Sequence, residues 1–184
     1  VLALLKLSEY DQSIVFPHEQ TFSGPKEDRY QLLSATATSL SPVFFLYDLP
    51  GDEVTKTWQA GPGGRSPGAT LTDEAGTLTS LWPTADRDVL ATVSKSLAAT
   101  RFIIADGHHR YETALRYQRD RAAELSAAET EGEQPSSLPP DAAGSSRALV
   151  ASDYVLGYFS NMSDPGLAVY ATHRLLSGID TDRV

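Results

Sequence analysis

The sequence predicts an α+β fold, a mixed sheet with flanking helices, and three observations predict it. Short unbroken apolar runs, such as Val43-Phe44-Phe45-Leu46-Tyr47 and Phe102-Ile103-Ile104-Ala105, have the length and character of buried strands. Between such runs lie stretches with helical periodicity. In one of them Tyr111, Ala114, Leu115, Gln118, Ala122 and Leu125 line up on one side as a mostly apolar stripe. Finally, the run ending at Ala105 passes through Gly107 directly into that stretch, a strand-turn-helix. The 184 residues suffice for one compact domain with a core of its own, and residues 1–184 are read as a single domain.

In chain order, Leu2 to Leu7 and Ser13 to Phe16 read as short strands, the second leading into Pro17-His18-Glu19. Pro25 opens a helix to about Ser39, since proline suits the first helical position; Leu33, Ala37 and Leu40 form its apolar stripe. Ser41-Pro42 stops it before the strand Val43 to Tyr47. Val54 to Ala60 is expected as a strand, ahead of the turn-rich Gly61-Pro62-Gly63-Gly64. Ala69 to Thr72 and Thr77 to Trp82 make a hairpin around Asp73-Glu74-Ala75-Gly76.

Thr84 is the expected N-cap of a helix carrying Val89, Leu90, Val93 and Leu97 on one side. The strand Arg101 to Ala105 and a helix from about His108 to Ala127 follow. Residues 129–146 are rich in Glu, Pro, Ser and Gly and are expected as a mobile surface loop. Structure resumes at Ala148, with a strand near Tyr154 to Asn161, an Asp164-Pro165-Gly166 turn and a strand into Thr172-His173-Arg174. No internal repeat is visible. The chain opens on Val1 and not on methionine, so it is expected to begin inside a longer protein.

Composition narrows the function classes. A net charge of -9 and a pI near 4.8 argue against general affinity for nucleic acid, which needs a basic surface to displace counterions. A local cationic pocket can still hold one small anion. With no cysteine, disulfides, thiolate nucleophiles and cysteine-type zinc sites are excluded, and a cytoplasmic location fits. No apolar run approaches the ~20 residues of a membrane span. Val1 to Leu7 is apolar but short, and it has neither a basic leader nor a small-residue cleavage site. The global sign of the charge therefore does not exclude a nucleotide as partner, and no membrane is expected; nothing in the sequence sets the oligomeric state.

All four histidines lie beside charged residues at expected element ends: His18 before Glu19, His108 and His109 between Asp106 and Arg110, His173 before Arg174. Asp106-Gly107-His108-His109-Arg110 is the most specific stretch. A strand that turns through glycine into a helix leaves the first helical amides without partners, and these, with the positive end of the dipole, favour an anion. Gly107 allows close approach or a positive φ, Arg110 adds a planar fork matched to phosphate oxygens, and both imidazoles can charge near neutrality. Asp106 fits if it holds Mg²⁺, orients a histidine or hydrogen-bonds a hydroxyl; capping the helix is the plainer alternative. Glu19 is a candidate general base, or else a solvated turn carboxylate. Lys26 and Arg29 sit at the cation-unfavourable start of a helix, which hints at an anion nearby, although a solvated face explains them too. His108 and Glu112, four apart, can share a transition metal if His18 or His173 joins them. His173 and Arg174 either complete a cationic rim or pair with local acids.

These motifs carry a resemblance. His18-Glu19-x-Thr21, Lys26-Glu27-Asp28-Arg29, Ser41-Pro42-Val43-Phe44, Asp106-Gly107-His108-His109-Arg110-Tyr111-Glu112-Thr113 and Thr172-His173-Arg174 stand in the order found in a widespread prokaryotic family, the domain-of-unknown-function family 1015. The resemblance covers essentially the whole chain and implies that it is the central segment of a longer protein. One departure is Ala171, where the family usually has proline. The Asp-Gly-His-His-Arg stretch is in turn similar to the phosphate-binding motif of the ParB/sulfiredoxin superfamily, which includes nucleotide-dependent kinases of free serine, sulfiredoxins and CTP-binding partition proteins. That resemblance implies that Gly107, His108, His109 and Arg110 bind phosphates and that Glu19 is the candidate base. The reading of the residues themselves adds Asp106 and His108 at the reacting centre, Arg174 at the phosphates, and His18, Arg29, Glu112 and His173 in support. Sulfiredoxin chemistry is excluded, because it needs a cysteine.

The leading expectation is a nucleotide-binding kinase that moves a phosphoryl group from ATP or ADP, with Mg²⁺ held at Asp106, to the hydroxyl of a small metabolite such as free serine. The alternatives are a non-catalytic, nucleotide-responsive regulatory module of ParB type, and a metal-dependent hydrolase built on His18, His108, Glu112 and His173.

Overall fold

A computed structural model describes residues 1–21, 23–130 and 150–170. Seven strands and four helices occur among them: β1 (Leu2–Lys6), β2 (Val15–Phe16), α1 (Ser23–Thr36), β3 (Val43–Tyr47), α2 (Glu53–Ala60), β4 (Ala69–Thr72), β5 (Leu78–Leu81), α3 (Arg87–Leu97), β6 (Phe102–Asp106), α4 (His108–Thr130) and β7 (Tyr154–Asn161). The fold is α+β with a mixed sheet. Its five strands run in the order β1-β7-β3-β6-β2, while β4 and β5 form a separate antiparallel hairpin. β7 pairs parallel with β3 and β2 parallel with β6; the β1–β7 and β3–β6 pairs are antiparallel. No helix among the described residues is long and apolar enough to cross a membrane.

Alternation along the strands sets the core. Val15, Val43, Phe45, Tyr47, Phe102, Ile104, Val155 and Phe159 all point to one face, where Tyr111, Ala114 and Leu115 of α4 meet them. Phe45 stacks on Phe159 at 5.1 Å between centroids and meets Tyr111 edge-on at 6.0 Å. The Tyr111 hydroxyl donates to the Ser8 carbonyl at 2.8 Å, which ties α4 to the chain leaving β1. α1 lies against α4. On the opposite face of the sheet Leu2, Leu4, Ile103 and Tyr158 are exposed.

The main correction concerns residues 54–60, expected as a strand and found as the helix α2. The β-branched pair Val54 and Thr55 suggested strand, but Val54 and Trp58 are four apart and so share a helical face. Val54 is buried there, and Trp58 packs edge-on against Trp82 at 5.3 Å. Tertiary burial outweighs intrinsic propensity here.

Other boundaries shift. Asp86, and not Thr84, caps α3: its carboxylate accepts from the amides of Asp88 and Val89 at 3.0 and 3.3 Å. Thr84 instead accepts from the Asp86 amide. The second strand is shorter than expected, because Tyr10–Gln12 form a 3-10 turn that Ser13 ends in left-handed conformation. α1 begins at Ser23 and ends at Thr36, with Ala37 at φ +47° breaking it. α4 continues to Thr130, so the first two residues of the expected 129–146 loop are helical; the rest of that loop and the expected strand into Thr172-His173-Arg174 lie outside the described residues.

Candidate functional site

The site begins at the end of β6. Gly107 has φ +97°, a region open to glycine and strained for other residues, and its carbonyl accepts the first helical bond of α4, from the Tyr111 amide at 3.0 Å. A Cβ at Gly107 would stand 2.9 Å from Arg110 Nε. Glycine is therefore needed both for the turn and for the guanidinium that folds under it. Arg110 donates to the Ser41 hydroxyl at 3.0 Å, to the Pro42 carbonyl and to the Asp106 carboxylate. Arg110 thus braces the turn against the entry to β3, and Asp106, with its side chain 71% exposed, is its ion-pair partner. Ser41-Pro42 is more than a helix stop, since it supplies two acceptors to this brace.

Parallel pairing of β2 with β6 carries Pro17-His18-Glu19 alongside the same turn. His18 Nδ1 lies 2.6 Å from the Ile104 carbonyl, which has no proton to give, so Nδ1 is the donor. The backbone amide of His18 donates to His108 Nε2 at 3.2 Å, and the two rings meet edge-on at 4.5 Å. His108 is 1% exposed. Burial lowers its pKa below 6.5, and His18 adds to that against the opposing pull of Glu19, Asp106 and Glu112, so the ring is neutral at neutral pH. A neutral ring that accepts at Nε2 must carry its proton on Nδ1, and Nδ1 stands 3.1 Å from Glu19 Oε1. The two are within ion-pair reach but not aligned for a hydrogen bond, which leaves that Nδ1–H without an acceptor. Glu19 itself is half exposed.

One turn along α4, Glu112 Oε2 accepts from the Thr21 hydroxyl at 2.6 Å and from Lys26 Nζ at 3.0 Å. Burial pushes the Glu112 carboxyl up, but these two bonds and the charges of Lys26 and His109 outweigh it and hold its pKa below 4.5. Glu112 is therefore an anchor for the 21–26 segment and no neighbour of a shared metal with His108. Lys26, read from the sequence as a cation hinting at a nearby anion, has the Glu112 carboxylate as that anion; Thr21 was legible only as part of the His18-Glu19-x-Thr21 motif.

The structure thus brings Glu19, His18 and His108 together, and joins Asp106 to Arg110. Glu112 stands apart on Thr21 and Lys26, and Arg29 lies on α1 beside a cavity it shares with Arg110. His173 and Arg174 lie outside the described residues.

The family model described as "Protein of unknown function (DUF1015)" matches residues 1–183. The chain belongs to this family. No curated protein and no solved structure matches it. Within this DUF1015 chain, the Asp106-Gly107-His108-His109-Arg110 run divides its labour by side. Alternate residues of the opening turn serve different neighbours, His108 facing the 18–19 segment and Arg110 the 41–42 segment.

Proposed function

We propose that this DUF1015 chain binds nucleotide phosphates at the opening turn of α4 and transfers a phosphoryl group from ATP or ADP to the hydroxyl of a small metabolite such as serine. The observation that carries this reading is the half-exposed Glu19 carboxylate held 3.1 Å from the buried His108 imidazole at the first residue of that helix. The helix start favours an anion, and its capping position is a glycine with no side chain to offer. A carboxylate kept beside such a start suits a group that takes a proton there. Glu19 takes the proton of the acceptor hydroxyl, the hydroxyl oxygen bonds to the terminal phosphorus, and the bond to the bridging oxygen breaks with its electron pair on the departing nucleotide. His108 acts as a positioning residue, its Nδ1 3.1 Å from Glu19 Oε1. The exposed Asp106 carboxylate is the oxygen donor suited to Mg²⁺, which would neutralise phosphate charge. Arg110 contributes by shaping the turn.

The test is direct. With ATP or ADP, Mg²⁺ and a panel of hydroxyl metabolites, a phosphorylated product is expected by phosphorus NMR. Glu19→Gln should lower turnover roughly a hundredfold or more while leaving nucleotide affinity by calorimetry nearly unchanged. Product formation that survives Glu19→Gln removes the base. Nucleotide binding with no product from any acceptor favours the regulatory module over the kinase.

A metal-dependent hydrolase has one observation on its side: ligand atoms of His18, Glu19 and His108 lie within 4.8 Å of one another. The proton inventory weighs against it. The His18 amide occupies His108 Nε2, so an ion at Nδ1 would have to displace the proton that the neutral ring must keep. Zinc titrated into the protein is therefore expected to bind no more tightly to the wild type than to His108→Gln. A large loss of zinc affinity in that variant would revive the metal centre.

A further inference from the structure

An open cleft of about 80 Å³ lies between the second half of α1, the 38–41 segment and the first turns of α4. None of His18, Glu19, His108 or Glu112 lines it. Its wall combines apolar surface from Leu33, Leu40 and Val155 with the guanidinium groups of Arg29 and Arg110. No carboxylate is among the lining residues, in a chain whose net charge is -9. Arg110 is neutralised by Asp106. Arg29 has no acid partner among the described residues, so the cavity carries one uncompensated positive charge over an apolar floor.

A second observation is independent of charge. Thr113, also in the wall, is 4% exposed, and its hydroxyl has no hydrogen-bond partner among the described residues. A helical threonine commonly donates to the carbonyl one turn earlier. This one does not, and its desolvation is uncompensated. Apolar walls with a few convergent polar groups characterise small-ligand sites.

We propose that this cavity binds a small amphiphilic monoanion, a carboxylate on an apolar body. The body lies on Leu33, Leu40 and Val155, and the head accepts from Arg29 on α1 and from Thr113 on α4. Such a ligand would bridge the two helices beside the Arg110 brace. The site is separate from the Glu19–His108 pair and does not depend on nucleotide chemistry.

Octanoate and 1-octanol are the probes, matched in apolar body and different in charge, each titrated calorimetrically into the whole chain. Octanoate is expected to bind at least roughly tenfold more tightly than octanol, the factor that one charge-assisted contact supplies. Arg29→Gln, at an exposed position, should bring octanoate down to the octanol level. Thr113→Val keeps the side-chain shape, so its melting temperature should not fall, while octanoate affinity drops about threefold. Glu19→Gln should bind octanoate as the wild type does. Equal affinity for the two probes, no binding at millimolar concentration, or octanoate affinity unchanged by Arg29→Gln each overturn the proposal.

Discussion

At Gly107, backbone and side-chain demands coincide. The φ of +97° already disfavours any L residue, and the Arg110 guanidinium fills the space where a Cβ would go. Gly107→Ala is therefore expected to destabilise the fold by about 1–3 kcal/mol, the usual range for a non-glycine residue held at such a φ, with the Arg110 side chain displaced from its brace. Urea unfolding measures this, and a loss below about 0.5 kcal/mol would mean that Arg110 swings away freely. Its functional effect should also exceed that of a surface change, because the turn sets the relation of Asp106 to His108. At this scale the sequence was informative about which residues gather and less so about what each one touches. The Asp106–Arg110 run and Glu19 were legible as a cluster because histidines and charges fall at element ends. That Arg110 would turn to Ser41 and Pro42, about seventy residues away in sequence, was not, since it depends on β3 lying beside β6. Likewise His108 reads as a phosphate donor in the sequence, but the His18 amide claims its Nε2, a contact fixed by strand pairing.

Among the elements, those with strong local patterns were readable: β3 and β7 as apolar runs, β4–β5 from the turn between them, and α4 from its stripe. α2 was not readable, because eight residues hold too few turns for the period to show and the β-branched content points to strand. What makes it a helix is non-local, the burial of Val54 and the packing of Trp58 on Trp82. Gly63 belongs to the same arrangement, since a Cβ there would stand 2.8 Å from the Trp58 ring. The start of α3 gives a clean test of element stability. Asp86 accepts two amide protons at the N-terminus and carries charge favourable to the dipole, so Asp86→Ala is expected to cost about 1 kcal/mol. Thr84→Ala, which removes an acceptor for one non-helical amide, should cost less. Equal losses in thermal or urea unfolding would return the capping role to Thr84.

For the molecule as a whole, the buried ionisable groups set how stability responds to acid. His108 has its pKa lowered below 6.5 by burial, so the unfolded chain binds this proton more readily than the folded one. Its contribution is fully present above about pH 6.5 and declines as pH falls from there toward the lower folded value. Each unit of depression corresponds to about 1.4 kcal/mol. Glu112 acts in the same direction at lower pH, since its folded pKa lies below 4.5 and the stability it provides is lost as pH drops below that point. Acid destabilisation should thus come in two stages, a histidine stage just under neutrality and a carboxylate stage beneath it. The first is the diagnostic one, because exposed carboxylates do not titrate there. Urea unfolding between about pH 7.5 and about pH 5.5 is expected to show a fall in stability that His108→Gln abolishes. Imidazole resonances supply a readout that survives even if this variant folds poorly: in the wild type His108 should stay neutral to a lower pH than a solvent-exposed histidine. A ring that titrates at or above 6.5 would mean that Glu19 closes onto Nδ1 and charges it, which turns a neutral positioning group into one half of a salt bridge.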